Sequence, residues 1–216
     1  MPELHLPWLE LAIVAPLIGA LALQRVRDPE VAWRWSLIAT GMSLALAVGG
    51  WIDFGTLNAF EAHDRGDLMS ALLGPEVLLI DRLSAPLLPL AALLYFAITL
   101  ATLRTKFRRV SFGGMLVSLS LLLALLACRQ PWGIIALLAA QAVPPWLELR
   151  GHGRPTRVFV LHMLLAFGLL AVGWAMFTAV GSEAKASVLA IGMLTAGVLI
   201  RSGVAPLHCW MTDLFE

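Results

Sequence analysis

Charge is scarce in this sequence of 216 residues: 13% are Asp, Glu, Lys or Arg, while 60% are hydrophobic. A soluble domain carries about a quarter charged residues, so water-soluble globular classes are excluded. Cysteine is scarcer still. Cys128 and Cys209 sit in or beside apolar stretches at no metal-ligand spacing, which argues against a disulfide framework or a zinc site. A Gly-rich phosphate loop, a Cys-x-x-Cys pair, a nucleophile elbow and a nucleic-acid signature are all missing. No catalytic residue, metal or cofactor is therefore expected in this chain, and no nucleic-acid partner. The opening MPELHLPWLELAIVAP lacks the basic n-region and small-residue cleavage site of a signal peptide. Its apolar stretch is expected to stay as a membrane anchor.

What is present is a series of long apolar runs. About 20 mostly apolar residues cross the roughly 30 Å of bilayer hydrocarbon as a helix, and candidate spans lie near 8–24, 34–54, 83–103, 110–128, 131–149, 157–180 and 187–205. The runs are continuous rather than alternating, so helices are expected over barrel strands. The connections after spans one, three and five hold Arg25, Arg27, Arg34, Arg104, Lys106, Arg108, Arg109, Arg150, Arg154 and Arg157. Those after spans two, four and six hold Arg65, Arg82, Arg129 and Lys185, and the long connection 53–82 is acidic, with Asp53, Glu61, Asp64, Asp67, Glu76 and Asp81. By the positive-inside rule the sequence predicts about seven crossings of the cell inner membrane with the N-terminus outside. The cluster Arg104, Lys106, Arg108 and Arg109 resembles a lipid-binding patch, but topology alone accounts for it.

Ionisable groups at membrane depth cost about 3 kcal/mol on insertion scales and are functional candidates by default. Arg201 lies fourteen residues beyond Ser187, about 21 Å deep at 1.5 Å per residue. Gly203 and Pro206 follow it and are expected to break the last helix, as in the discontinuous helices of ion-coupled transporters. The competing reading is an arginine that snorkels to the headgroups. Gln141 falls in mid-span before Val143-Pro144-Pro145. The prolines predict a kink, and the glutamine reads first as a helix–helix hydrogen bond. Glu148 is expected at the interface as a solvated or paired end charge. His162, near the start of span six, titrates near neutral pH when unperturbed, although a histidine near a helix end is usually structural. Asp81 and Ser84 read as caps of span three, and Trp51, Trp132, Trp146 and Trp174 as members of the interfacial belt.

Two segments carry a family resemblance. VLLIDRLSAPLLPL (77–90) resembles the Asp-x-Leu-Ser start of the third helix in the antiporter-like subunits of respiratory complex I, and IRSGVAPLHCWMTDLFE (200–216) resembles the segment at their broken seventh helix. The family includes Mrp-type cation/proton antiporters, energy-converting hydrogenase membrane subunits and the membrane partner of an inorganic-carbon pump. The resemblance implies an all-α integral membrane fold belonging to an inverted-repeat architecture, with 1–82 forming two helices and an external acidic loop and 83–216 forming helices three to seven. It implies partners among other membrane subunits of a larger complex, with protons or monovalent cations as cargo. Proton half-channels in that family are built around a helix-five glutamate and a helix-seven lysine. Arg201 stands at the lysine position and Gln141 at or next to the glutamate, and both depart from the pattern. Arginine holds its proton and cannot shuttle one as a desolvated lysine does, and glutamine does not ionise. The ion-path candidates are thus Arg201, His208, Gln141, Glu148, His162 and Asp213, with Arg201 expected either to act as a fixed charge that shapes the field along a water chain or to pair with an acid such as Glu148. Family members usually have about fourteen spans, so the sequence reads as a fragment, a split subunit or a degenerate relative. The expected function is a membrane subunit, or its N-terminal portion, of a proton- or cation-translocating complex related to NADH-quinone oxidoreductase. A non-conducting assembly subunit and the membrane half of a carbon-uptake pump are the alternatives.

Overall fold

The computed structural model describes residues 3–57, 59–64, 77–107, 110–151, 153, 156–180 and 184–204. The chain divides into two compact units, Met1–Gly133 and Ile134–Glu216. The first holds α1 (Trp8–Leu23), α2 (Pro29–Leu57), α3 (Ser84–Ala101) and α4 (Phe112–Ala127), with a two-residue strand pair, β1 (Glu61–Ala62) and β2 (Ile80–Asp81). Next come α5 (Pro131–Ala140), α6 (Val143–Gly151), α7 (Arg157–Val180) and α8 (Ala184–Arg201). Helices coincide with each predicted span to within a few residues, and span five is split into α5 and α6. By length and composition Pro29–Leu57, Ser84–Ala101, Pro131–Gly151 and Arg157–Ala179 can each cross a bilayer, and Trp8–Leu23, Phe112–Ala127 and Val188–Arg201 are shorter apolar helices. This is an all-α, multi-pass membrane architecture.

In the first unit α1 packs against α2 and α4, and α2 also packs against α3. The interior stripe of α4 is Phe112, Leu116, Leu119, Ser120, Leu123 and Ala127, all buried, at the three- and four-residue steps that keep one helix face on a core. The facing surface of α2 is small and polar instead, with Ser36, Ala39, Thr40, Ser43 and Ala47 buried. Small residues let backbones approach closely where lipid gives no hydrophobic drive for helix association. Gly19 marks one such close approach, since a Cβ added there would stand 2.7 Å from the Ala39 Cβ.

Pro16 in the middle of α1 creates a need that the neighbouring helices meet. Proline has no N–H to give the carbonyl four residues back, and its ring crowds that turn. The freed acceptor is Ala12, and Ser43 Oγ of α2 donates to its carbonyl at 2.9 Å. Ser120 Oγ of α4 donates to the adjoining Ile13 carbonyl at 2.8 Å. Two flanking helices thereby satisfy backbone that lipid would leave unpaired.

One end of this unit is closed by the two parts of the long acidic connection. Leu4 N–H donates to the His63 carbonyl at 2.8 Å, Leu79 N–H to Ala127 at 2.8 Å, and Arg129 N–H to Val77 at 3.0 Å. Asp53, Glu61 and Asp81 act as ties within this end of the unit. Asp53 accepts from the His5 N–H at 2.9 Å and from Trp8 Nε1 at 3.0 Å, and Glu61 pairs with Arg129 at 2.8 Å. Asp81 caps α3 as expected, accepting from the Leu83 and Ser84 N–H groups, while Ser84 Oγ accepts from Asp81 N–H. The Ser84 N–H above all, helped by that of Leu83, holds the Asp81 carboxyl below its usual range against the opposing effect of burial.

Candidate functional site

The second unit contains the predicted site residues, and its local structure begins with a proline effect of the opposite outcome. Pro144 and Pro145 withdraw the donors that Ala140 and Gln141 carbonyls need to continue a helix. The α5 ladder ends accordingly: Gln141 N–H still reaches Leu137 at 2.9 Å, Ala142 N–H turns tighter onto Ala139 at 3.1 Å, and Trp146 N–H restarts the ladder on Ala142 at 3.2 Å. The predicted kink is a full break. At this break Gln141 Nε2 is buried with no hydrogen-bond partner among the described residues, so the helix–helix hydrogen bond expected of it is not made by that nitrogen. An unmet buried amide donor costs about 1–3 kcal/mol, and such an atom calls for an explanation such as a water or another group.

Beyond the break, α6 lies against the first half of α7 through a buried cluster of Ala142, Leu149, Phe159 and Met163, with Trp146 packed against it. Glu148 sits on α6 with its side chain exposed, and the Arg150 guanidinium lies 5.5 Å from the Trp146 ring centre. Half-buried His162 is on α7, its Nδ1 2.9 Å from the Val158 carbonyl. A carbonyl only accepts, so Nδ1 carries the proton in this contact, and Nε2 of the neutral ring remains an acceptor.

Helices α7 and α8 run antiparallel at very close range, and two glycines set their register. A Cβ at Gly173 would stand 3.1 Å from the Ala190 carbonyl oxygen, and one at Gly197 would stand 3.0 Å from that of Ala166. Continuing this register by one turn brings Arg201 to the level of His162 to Ala166. That level is about seven residues inside the start of α7, or about 10 Å along its axis. Arg201 closes α8 about 26 Å from Ala184 at 1.5 Å per residue, and its side chain is half-buried. Gly203 at φ 66° then ends the helix. Its N–H bonds Ile200 at 3.2 Å and the Val204 N–H bonds Leu199 at 3.3 Å, the Schellman pattern that favours glycine at that position. The helix end expected at Gly203 is present, and any continuation of a broken helix would fall outside the described residues. Pro206, His208 and Asp213 lie outside the described residues.

Sequence reasoning passed over one cluster. Glu10, in the first turn of α1, and Asp64 are both nearly fully buried, at 4% and 3% exposure. The Asp64 carboxylate accepts from the Leu9 N–H at 3.2 Å and the Glu10 N–H at 2.8 Å, capping α1 from 54 residues away. A helix N-terminus favours negative charge, but local sequence carries no sign of so distant a cap.

Comparison with known proteins bears on this geometry. No protein-family model matches the chain. Among curated proteins it is similar to NAD(P)H-quinone oxidoreductase chain 4 1 of Picosynechococcus sp., 26% identical over 238 residues. It is likewise similar to NAD(P)H-quinone oxidoreductase chain 4 3 of Trichormus variabilis, 27% identical over 239 residues, and to chain 4 1 of Nostoc sp., 28% identical over 247 residues. Each alignment covers 99% of this chain and 44% of the relative. The resemblance to antiporter-like complex I subunits holds along the chain. The chain spans about half the length of the curated relatives it matches. Similarity to such subunits therefore extends over both units and is not confined to the two motif segments at 77–90 and 200–216.

Proposed function

We propose that the chain serves as an antiporter-like membrane subunit, or the N-terminal portion of one, in a proton- or cation-translocating complex related to NAD(P)H-quinone oxidoreductases. The alignment with three chain 4 proteins over 99% of its length carries this reading. Its helices cross the inner membrane seven times with the N-terminus outside, as the distribution of arginine and lysine supports. The chain adds no redox centre and works beside other membrane subunits.

Within the second unit the path runs past the break at Gln141 and past His162 and Arg201, with Glu148, His208 and Asp213 as further candidates. Arg201 acts as a fixed positive charge that shapes the field along a file of water. Its proton stays on the guanidinium, and an acid such as Glu148 balances it. His162 supplies an imidazole whose Nε2 is left as an acceptor beside that path. The test is proton flux into vesicles holding the complete complex. Removing this chain is expected to lower flux, and Arg201→Ala to lower it while Arg201→Lys retains it. Unchanged flux without the chain would favour an assembly subunit, a reading that Gln141 and Arg201 make chemically reasonable because neither shuttles protons. Normal flux with Arg201→Ala would remove Arg201 from the path.

A further inference from the structure

At the end of the first unit away from the strand pair, the α1–α2 and α3–α4 connections border an open groove of about 560 Å³. Leu23, Val26, Phe107 and Phe112 form its apolar walls, with Arg27 and Asp28 at the rim. The walls are held by an aromatic stack: Trp33 lies on Phe107 with ring centres 5.3 Å apart, and Phe112 meets Phe107 edge-on at 5.9 Å. The volume falls within the range of about 300–1,000 Å³ typical of small-molecule sites.

Charge around the rim is lopsided once local pairs are assigned. The Asp28 carboxylate accepts from the Glu30 N–H at 2.9 Å and so caps α2, where Pro29 fits the first helical position. Glu30 is engaged by Arg34 at 3.3 Å and Arg104 at 3.9 Å. Arg27 is exposed, and among the described residues neither it nor Arg25 forms an ion pair. An unmatched arginine therefore stands over a trough with apolar walls at the point where α1 ends and α4 begins, which the seven-span reading puts at a bilayer interface.

We propose that this groove binds an anionic phospholipid, its acyl chain along Leu23, Val26, Phe107 and Phe112 and its phosphate on Arg27. Each arginine near an anionic headgroup adds about 1 kcal/mol of attraction, while the trough favours a chain-bearing ligand over a bare anion. The site stands on the membrane architecture alone and not on the transport reading.

The full chain in detergent micelles is titrated with phosphatidylglycerol, phosphatidylcholine or inorganic phosphate while thermal unfolding is followed, and native mass spectrometry counts retained lipid. Phosphatidylglycerol is expected to raise the unfolding midpoint more than phosphatidylcholine, and inorganic phosphate to leave it unchanged. Arg27→Gln changes an exposed side chain and is expected to weaken phosphatidylglycerol about fivefold, removing most of its advantage. Gly113 lines the groove, and a Cβ there meets nothing within 4 Å. Gly113→Leu therefore starts from open space at its Cβ and is expected to occupy the trough and reduce retention of both lipids. Equal responses to the two lipids, or a phosphatidylglycerol advantage that survives both variants, would overturn the proposal. Inorganic phosphate matching phosphatidylglycerol would replace lipid by a free anion. A photo-crosslinker at position 113 that captures another subunit in the complete complex, with no lipid retained, would replace it by protein.

Discussion

The two units meet the same problem, proline inside an apolar helix, and resolve it differently. In the first, Pro16 frees the Ala12 carbonyl in α1, and hydroxyls from α2 and α4 reach it and the adjoining Ile13 carbonyl at 2.9 and 2.8 Å. The helix runs on from Trp8 to Leu23. In the second, Pro144 and Pro145 divide the span into α5 and α6, and the nearest polar side chain, Gln141, leaves Nε2 buried without a partner among the described residues. A single proline with serines at hand is a braced helix. Two prolines without them make a gap, and irregular backbone at membrane depth is tolerated where it lines a cavity or is buried in protein.

The contrast can be tested on the purified chain in detergent, and the largest effect belongs to the first unit. Asp64→Ala leaves the buried Leu9 and Glu10 N–H groups without their charged acceptor, and is expected to cost about 3 kcal/mol in denaturant unfolding. A loss below about 0.5 kcal/mol would mean that α1 does not depend on this remote cap. Ser43→Ala should cost about 1 kcal/mol, within the range measured for hydrogen bonds between membrane helices. In a Pro16→Ala background the Ala12 carbonyl regains a helical donor, so the same serine change should cost close to nothing. An undiminished cost there would break the argument that the serine answers the proline.

Gln141→Leu is expected to act in the other direction. Removing an unmet buried donor should leave stability of the isolated chain unchanged or raise it by about 1 kcal/mol, and in the complete complex it should lower proton flux. A clear loss of stability would show that Gln141 holds the break together. The smallest effect concerns Asp81, which is only partly buried, so solvent screening keeps its contribution below about 1 kcal/mol. Its carboxyl is held below the usual value in the folded chain, so the stabilisation is fully present above the ordinary carboxylate pKa of about 3.9. It is lost as pH falls through the folded value. Asp81→Asn should flatten the acid side of the stability profile, and an unchanged acid limb would detach the cap from that dependence.

Much of the fold was legible because bilayer thickness and the 3.6-residue repeat act locally. The apolar runs marked the helices, Pro144-Pro145 marked the break, and Gly203 marked the end of α8. Asp81 and Ser84 are three residues apart, so their mutual capping could be read from spacing. The strand pair was not foreseen, because Glu61–Ala62 and Ile80–Asp81 are too short to show a period. Asp64 and Asp53 read as loop acids because their partners lie 45 to 55 residues away. Nothing local marks Ser43 and Ser120 as donors to α1, because their acceptors lie 31 and 107 residues away in sequence. For the site, sequence placed Gln141 at the break and Arg201 before the glycine. The level shared by Arg201 and His162 needed the glycine register, which only the packed helices reveal.

That register has a consequence for where water can travel. Backbones that meet through Gly173 and Gly197, with Ala166 and Ala190 fully covered between them, leave no lumen for even a single file of molecules. The α7–α8 seam is closed, so the proposed ion path would run along the flanks of the pair and not between the two helices. A bulkier side chain at either glycine is expected to push the two helices apart and weaken their pairing.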